Sequence, residues 1–180
     1  MFKKTKLSPS DLSAVAISEG PGSYTGLRIG VSAAKGICFP LNIPLIALDT
    51  MHILARKIEC SEGYIVPAID ARRDEIYFAM FQSNNCKIPE LKVKTDTMIL
   101  SSDSFSNYYE TSTVNFVGDC NKKIMQYLNH ENIFFSDNIL PSANEMGMLS
   151  HSKYVKEQFV DVAEFQPKYL KDFGGKKINN

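Results

Sequence analysis

A twelve-residue segment near the start of the chain, residues 19–30, constrains the fold more than any other part of the sequence. It follows the apolar run at residues 14–17 and precedes a helical pattern of apolar residues, so it predicts a strand, a tight turn and a helix. Gly20-Pro21-Gly22 favours a turn, because proline fixes φ and glycine tolerates positive φ. Ser23 or Thr25 can then cap the helix by accepting a bond from a backbone N–H. This order of elements is typical of α/β proteins.

The predicted helix after this turn combines one apolar face with several very small residues. Its apolar stripe recurs with helical spacing at Leu27, Val31, Ala34, Cys38 and Leu41. The glycines at positions 26, 30 and 36 each cost roughly 1 kcal/mol relative to alanine inside a helix. Their presence indicates close approach of another backbone, in this chain or in another protein.

Anion binding at the helix N-terminus is the alternative explanation for the turn, because such a turn presents free N–H groups and the positive end of the helix dipole. The phosphate-loop pattern G-x-x-x-x-G-K-[ST] is not matched, since no lysine stands at the required place and Arg28 is the only nearby cation. The dinucleotide pattern G-x-G-x-x-G is not matched either. We therefore favour helix packing.

Composition indicates a cytoplasmic protein without a membrane span. Lysine and arginine total 20, as do aspartate and glutamate, so the net charge gives no sign of a nucleic-acid binder. No apolar run approaches the length of a transmembrane helix, and no signal-peptide core follows the first residues. The four cysteines are widely spaced without a C-x-x-C pair, which predicts reduced, partly buried thiols: Cys38, Cys60, Cys86 and Cys120.

The rest of the pattern alternates helices and strands, and its second half begins with a β-hairpin. In the first half we predict a helix start at Ser8-Pro9-Ser10-Asp11, strands at 14–18 and 45–48, and helices ending near 39 and 59. Strands at 64–69 and 75–82 flank the polar segment 70–74, which is a hairpin signature. Further strands are predicted at 92–100, 114–117 and 133–135, with helices at 104–110, at 121–128 and after a capping box at Ser142 and Glu145.

Candidate catalytic groups are sparse in this sequence. The three histidines, at positions 52, 130 and 151, lack the close spacing that a helical zinc or iron site uses. Ser23 lacks the G-x-S-x-G context of a nucleophile elbow. Three aspartates at predicted strand ends are placed either to hold magnesium or to close turns and cap helices, and we favour the second role for Asp49, Asp70 and Asp119. The sequence therefore predicts no catalytic residue, no cofactor and no metal.

The glycine-rich segment, from Gly20 to Gly30, closely resembles the signature of one bacterial family. That family is TsaB, also called YeaZ, the dimerisation subunit of the machinery that makes threonylcarbamoyladenosine in tRNA. The resemblance continues through four later segments and so covers nearly the whole chain: Ala34-Lys35-Gly36, Ile43-Pro44-Leu45, Ile69-Asp70-Ala71-Arg72-Arg73-Asp74-Glu75-Ile76-Tyr77 and Pro167-Lys168-Tyr169-Leu170-Lys171. One departure is Asp74, where a glycine commonly follows the paired arginines.

The resemblance implies an α/β fold of the actin-like ATPase (ASKHA) architecture, with two RNase H-like lobes of which the first is incomplete. Residues 1–60 would then be a remnant of the first lobe, and residues 61–180 the second lobe with a polar C-terminal tail. Family members open with a β-hairpin and a long helix that this sequence does not match. We therefore expect an N-terminal truncation, with Met1 an internal methionine used as a start.

The resemblance also implies a function, that of a non-catalytic scaffold subunit. Such a subunit pairs with TsaD and, with the ATPase TsaE, supports transfer of threonylcarbamoyl to adenosine 37 of tRNAs that read codons beginning with A. It would meet tRNA only through the complex, and it would form a homodimer in isolation. Two alternatives are a small-molecule kinase or ATPase of the same fold, which predicts ATP binding, and a free-standing RNA-binding module, which predicts salt-dependent affinity for tRNA.

Two groups of residues are candidates for these contacts. The partner interface is predicted on the small-residue helix, where small residues permit close approach of a partner helix, at Tyr24, Gly26, Leu27, Arg28, Gly30, Val31 and Ala33. At the tip of the predicted hairpin, Arg72 and Arg73 are candidate RNA contacts. The acids that flank these arginines, Asp70, Asp74 and Glu75, favour the alternative that the pair is simply solvated.

Overall fold

The computed structural model describes residues 7–59, 62–84, 89–136 and 139–171. The chain divides into two compact units. The first contains Met1–Asp49 and Met146–Lys168, and the second contains Thr50–Glu145 and Tyr169–Asn180. The predicted lobes, residues 1–60 and 61–180, differ from these units, because residues 146–168 return to the first unit and the residues after Asp49 join the second.

The first unit is built around two parallel strands, β1 (Val15–Gly20) and β2 (Leu45–Asp49), which are connected by helix α1 (Tyr24–Leu41). Val160, from a later part of the chain, extends this pair by donating its N–H to the carbonyl of Leu45 at 3.0 Å. The core beneath α1 is apolar and consists of Ala34, Cys38 and Leu45, with Val15, Ile17, Ile43, Val160, Val162 and Phe165 packed against them. Helix α1 therefore buries one face within its own unit.

Helix α1 begins at one of its two predicted caps. Ser23 is the N-cap, and its hydroxyl accepts the N–H of Gly26 at 3.2 Å. The helix ends at Leu41, slightly beyond its predicted end, and Asn42 follows in the left-handed conformation with a φ of 51°. Pro40 does not stop the helix because it lies in the last turn, where its missing N–H removes a single intrahelical bond.

The second unit contains a five-stranded mixed sheet with the order β5-β4-β3-β6-β7. Its strands are β3 (Glu62–Asp70), β4 (Glu75–Asn84), β5 (Glu90–Ile99), β6 (Val114–Gly118) and β7 (Ile133–Ser136). β4 is antiparallel to both β3 and β5, whereas β6 is parallel to β3 and β7. The predicted hairpin is confirmed, since β3 and β4 pair from Asp70 opposite Ile76 outwards.

The helices of the second unit are shorter than predicted. They are α2 (Thr50–Ala55), α3 (Ser106–Tyr109) and α4 (Asn121–Ile124). A longer helix, α5 (Ala143–Val155), follows the capping box, and its residues from Met146 onwards belong to the first unit. After α2 and α4 the chain continues in tighter i to i+3 turns, in which Lys57 donates to the carbonyl of Leu54 and Tyr127 to that of Ile124. The predicted helical pattern therefore continues beyond the regular helix.

Both faces of the five-stranded sheet are covered by apolar cores. Successive residues of β4 alternate between them, as the pleat of a strand requires. Phe78 and Met80 belong to one core, and Ala79 and Phe81 belong to the other. This alternation confirms the predicted layered α/β character of the second half.

Candidate partner interface

The glycine-rich turn after β1 is shaped by a close backbone contact inside the first unit. Gly20 has a φ of +113°, and a Cβ at this position would lie 2.9 Å from the carbonyl oxygen of Lys168. The N–H of Lys168 donates to the carbonyl of Glu19 at 2.7 Å, which holds the two segments together. Glycine is therefore required at position 20 by both the backbone conformation and the available space. The peptide bond between Gly20 and Pro21 is cis.

The first turns of α1 carry an aromatic residue and a cation in direct contact. The guanidinium carbon of Arg28 lies 4.1 Å from the centre of the Tyr24 ring, and Arg28 also donates a hydrogen bond to the Tyr24 hydroxyl. Arg28 is exposed and Tyr24 is half-buried. Cation–π contact of this kind holds the arginine against the helix surface.

The side of α1 that faces away from its core is exposed, apolar and mostly small. We call it the outer face of α1, and its exposed residues are Thr25, Ile29, Ser32, Ala33, Gly36, Phe39 and Pro40. Ile29 is 65 % exposed and Phe39 is 76 % exposed. At Gly36, no described atom beyond the helix's own turn lies within 4 Å of the position that a Cβ would take. Two large apolar side chains thus border a shallow strip of small residues.

The outer face is also almost uncharged. The sequence of α1 contains no acidic residue, and its cations are Arg28 and Lys35. Lys35 donates to the carbonyl of Ala163 at 2.7 Å, so its ammonium group is engaged by the first unit itself. A contiguous exposed apolar surface of this kind is typical of a protein–protein contact site.

The structure places the seven predicted interface residues on different sides of α1. Gly26, Arg28 and Ala33 are exposed, whereas Val31 is buried in the core. The remaining three are half-buried: Tyr24, Leu27 and Gly30. A Cβ at Gly30 would lie 3.2 Å from Cδ1 of Ile17, so this glycine allows α1 to approach β1 of the same chain.

Sequence reasoning missed Ile29, Gly36 and Phe39, which the structure places on the outer face. A signal for them was present in the helical spacing. Once Leu27 and Val31 were assigned to the core stripe, the residues about half a turn away necessarily faced outwards. The prediction instead used these two core residues for the partner contact as well.

The predicted RNA-contact residues lie on the turn between β3 and β4. Arg72 and Arg73 are both exposed, and both have left-handed backbone conformations, with φ values of 68° and 52°. The N–H of Arg72 donates to the Asp70 carboxylate at 2.8 Å, and Asp119 accepts the N–H of Asp70 at 3.0 Å. Asp70 therefore closes a turn, as predicted, whereas Asp119 joins the ends of two strands by accepting a bond from a residue 49 positions away.

The other titratable groups singled out in the sequence are dispersed. His52 lies against Phe81 in the second unit, with ring centres 4.9 Å apart, and His130 lies against Tyr109 at 4.8 Å. Cys38 and Cys120 are buried free thiols, as predicted. Burial raises the pKa of both, that of Cys120 to about 12. Cys60 and Cys86 lie outside the described residues.

No group of three or more histidine, cysteine, aspartate or glutamate side chains in the described ranges is arranged to hold a metal ion. Among the helices that the structure describes, none has the length and apolar character needed to cross a membrane.

Comparison with known proteins identifies relatives of this chain. Residues 1–177 match the family described as TsaD: tRNA N6-adenosine threonylcarbamoyltransferase. The tRNA threonylcarbamoyladenosine biosynthesis protein TsaB of Haemophilus influenzae is 26 % identical over 178 residues, covering 91 % of this chain and 72 % of the relative. The protein of the same name from Bacillus subtilis is 37 % identical over 93 residues, covering 52 % of this chain. The chain spans 41 % of that B. subtilis protein.

A solved structure shares the fold. YeaZ from Pseudomonas aeruginosa superposes with a TM-score of 0.81 at 22 % identity, covering 94 % of this chain and 78 % of the YeaZ chain. This likeness confirms the predicted α/β fold of the actin-like architecture. The predicted resemblance to TsaB is confirmed by the relatives of that name. The chain therefore belongs to the family described as TsaD, tRNA N6-adenosine threonylcarbamoyltransferase, and within it resembles the members named TsaB.

Proposed function

We propose that this protein is a non-catalytic scaffold subunit of a complex that makes N6-threonylcarbamoyladenosine at position 37 of tRNA. In this role it pairs with TsaD, works with TsaE in the cytoplasm, and meets tRNA as part of the complex. The names of its relatives support the assignment: those called TsaB are biosynthesis proteins, whereas the transferase name belongs to TsaD. The tRNA N6-adenosine threonylcarbamoyltransferase of B. subtilis aligns with 38 % of this chain, whereas TsaB of H. influenzae aligns with 91 %, which favours the scaffold role over the transferase role.

The observation that carries the proposal is the outer face of α1. Ile29 and Phe39 project from it, and the residues between them are small: Ser32, Ala33 and Gly36. A partner helix can lay a ridge of side chains into such a strip and approach to about 8–10 Å between axes. Complete burial of an isoleucine or phenylalanine side chain contributes about 1.5–3 kcal/mol, so these two residues would provide much of the contact energy.

Some predicted contact residues are retained in this proposal and others are not. Arg28 and Ala33 lie on or beside the outer face, and Gly26 is exposed at its edge. Val31 and Gly30 face the core of the first unit, so we assign them to packing within the chain.

The decisive experiment uses Gly36→Leu. Because the space above Gly36 is open in the isolated chain, a leucine fits without an internal clash. Leucine is also a better helix former than glycine by up to about 1 kcal/mol, so the variant should be at least as stable as the natural sequence. On a bound partner, however, the added side chain would collide with the approaching backbone. We therefore expect the variant to lose co-purification with TsaD of the same organism while its melting temperature is unchanged or higher.

A matched control is available in α5. Gly147 is also an exposed helical glycine with no described atom within 4 Å of a Cβ, and it lies outside the outer face of α1. Gly147→Leu should therefore leave TsaD binding intact. Retained binding by Gly36→Leu, or equal loss of binding by both variants, would show that the outer face of α1 is not the contact surface.

A further inference from the structure

The turn between β3 and β4 presents two adjacent arginines in an unusual backbone conformation. Arg72 and Arg73 both have positive φ, which residues other than glycine adopt infrequently. Both side chains are exposed at the tip of the hairpin. Backbone conformations of this kind persist where the surroundings hold them, and they occur often at binding sites.

The turn is held by hydrogen bonds on both sides. Ala71 donates its N–H to the carbonyl of Glu75 at 3.1 Å, and Glu75 donates to the carbonyl of Arg72 at 3.2 Å. Lys171, from the end of the described chain, donates to the carbonyl of Ala71 at 3.1 Å. The two arginines are therefore presented from a backbone that is fixed before any ligand arrives.

The acids around the turn are each engaged by a group other than the arginine side chains. Asp70 forms an ion pair with Lys123, and Glu75 forms one with Lys171. The carboxylate of Asp74 accepts a hydrogen bond from the hydroxyl of Tyr127 at 2.8 Å.

Because the nearby acids have these other partners, the guanidinium groups of Arg72 and Arg73 are available to bind a ligand. Within the described residues, no carboxylate lies at ion-pair distance from the side chain of Arg72 or Arg73, although the charge of Asp70 acts on Arg72. Two guanidinium groups on a rigid turn are suited to phosphate oxygens, which they bind with paired N–H donors.

We propose that Arg72 and Arg73 bind the phosphodiester backbone of the tRNA that the complex modifies. This inference rests on the proposed function, and it adds a direct tRNA contact to the scaffold role. Contacts to phosphate position an RNA without reading its sequence, so the pair orients the tRNA rather than selecting it. The ion pairs of Lys123 and Lys171 neutralise two of the carboxylates beside this site, those of Asp70 and Glu75.

The test measures the affinity of the assembled complex with TsaD for an unmodified tRNA transcript, by fluorescence anisotropy at several salt concentrations. The test variant is Arg72→Gln/Arg73→Gln. We expect its affinity to fall about tenfold at low salt, as loss of charge-assisted hydrogen bonds predicts. The slope of log affinity against log salt should become shallower by about 1.4–1.8, since each phosphate contact contributes roughly 0.7–0.9.

The control variant removes the same charge elsewhere in the second unit. Lys92→Gln/Lys94→Gln changes two exposed lysines near the start of β5, at the opposite end of the hairpin strands from the turn. This control should leave the salt slope unchanged. Arg72→Lys/Arg73→Lys keeps the charge but not the paired N–H donors, so it should restore the salt slope and only part of the affinity, which separates loss of charge from a disturbed turn.

Three results would overturn the inference. They are an unchanged salt slope in Arg72→Gln/Arg73→Gln, an equal change of the salt slope in the control Lys92→Gln/Lys94→Gln, and an assembled complex that does not bind tRNA. A fourth result would assign the pair to free nucleotide phosphate instead. It is displacement of the transcript by millimolar ATP from the complex with the natural sequence but not from the complex with the glutamine variant. In each case co-purification with TsaD is scored separately, so failure of the tRNA contact is distinguished from failure of the scaffold role.

Discussion

Glu145, at the start of α5, carries a charge that three neighbouring donors stabilise. Its carboxylate accepts hydrogen bonds from the hydroxyl of Ser142 and the amide of Asn144, and it pairs with the ammonium of Lys57 at 3.1 Å. Burial raises the pKa of this carboxyl, but the bonds from these three donors outweigh burial and leave the pKa at about 2, against an ordinary value of 4.5. Its charged form therefore stabilises the folded state.

The pH dependence of stability follows from this low pKa. Since the folded pKa is depressed, the stabilisation is present above pH 4.5 and is lost as the pH falls towards 2. Glu145→Gln should lower the free energy of unfolding at neutral pH by roughly 1–3 kcal/mol. It should also flatten the acid limb of the stability curve, measured by urea unfolding between pH 7 and pH 2. Glu131→Gln, which changes an exposed glutamate of the same unit, should do neither, and equal behaviour of the two variants would contradict the assignment.

At the scale of elements, α1 uses glycine for two different purposes. Gly30 brings the helix close to β1, where Ile17 fills the space that a side chain would occupy. Gly36 lies on the exposed side of the helix, above open space. In the sequence, Gly30 and Gly36 are both glycines of one helix rich in small residues. Their roles differ because they occupy different angular positions around the helix axis.

The two glycines should therefore respond oppositely to the same substitution. Gly30→Leu overfills the contact with β1 and should lower the free energy of unfolding by about 1–3 kcal/mol. Gly36→Leu should raise it by up to about 1 kcal/mol, because leucine favours the helix and meets no clash. Urea unfolding followed by circular dichroism measures both changes. Equal destabilisation by the two variants would mean that the outer face of α1 is covered within the chain.

At the scale of the whole molecule, the outer face of α1 leaves apolar surface available to a second protein. The same surface that we propose for TsaD is available to another copy of this chain, as the predicted homodimer requires. Among the described strands, β1 pairs with β2 and with no other strand. The first four residues of β1 are uncharged. An uncharged strand edge favours pairing with another chain.

Self-association and TsaD binding should compete for one surface. In sedimentation equilibrium, we expect the isolated protein to dimerise in a concentration-dependent manner and Gly36→Leu to shift it towards the monomer, with Gly147→Leu unchanged. Adding TsaD should replace the homodimer with the heterodimer. A monomer at all concentrations, or a homodimer that persists beside bound TsaD, would contradict a shared surface.

Much of the fold was predictable because its signals are local. Ser23 caps α1 through a bond to a residue three positions later, and the predicted helix start at Ser8 forms, with a capping box to Asp11, although it opens only a single 3-10 turn. The β3–β4 hairpin follows from alternation on either side of a polar segment. Helix ends were less well predicted, because the regular turns of α2 and α4 give way to tighter turns at positions that the pattern does not mark.

The sequence by itself determined the order of elements, their caps and the family, because these depend on neighbouring residues and on motifs of contiguous residues. The tertiary structure alone decided what covers the inner side of α1, because that depends on Ile17, in another strand, meeting Gly30. It also decided the partners of the acids beside Arg72 and Arg73. Asp74 meets Tyr127, 53 positions away, and Glu75 meets Lys171, pairings that arise only when distant segments pack together. Local patterns specify elements, whereas the surface and the charge left for a partner depend on how those elements pack.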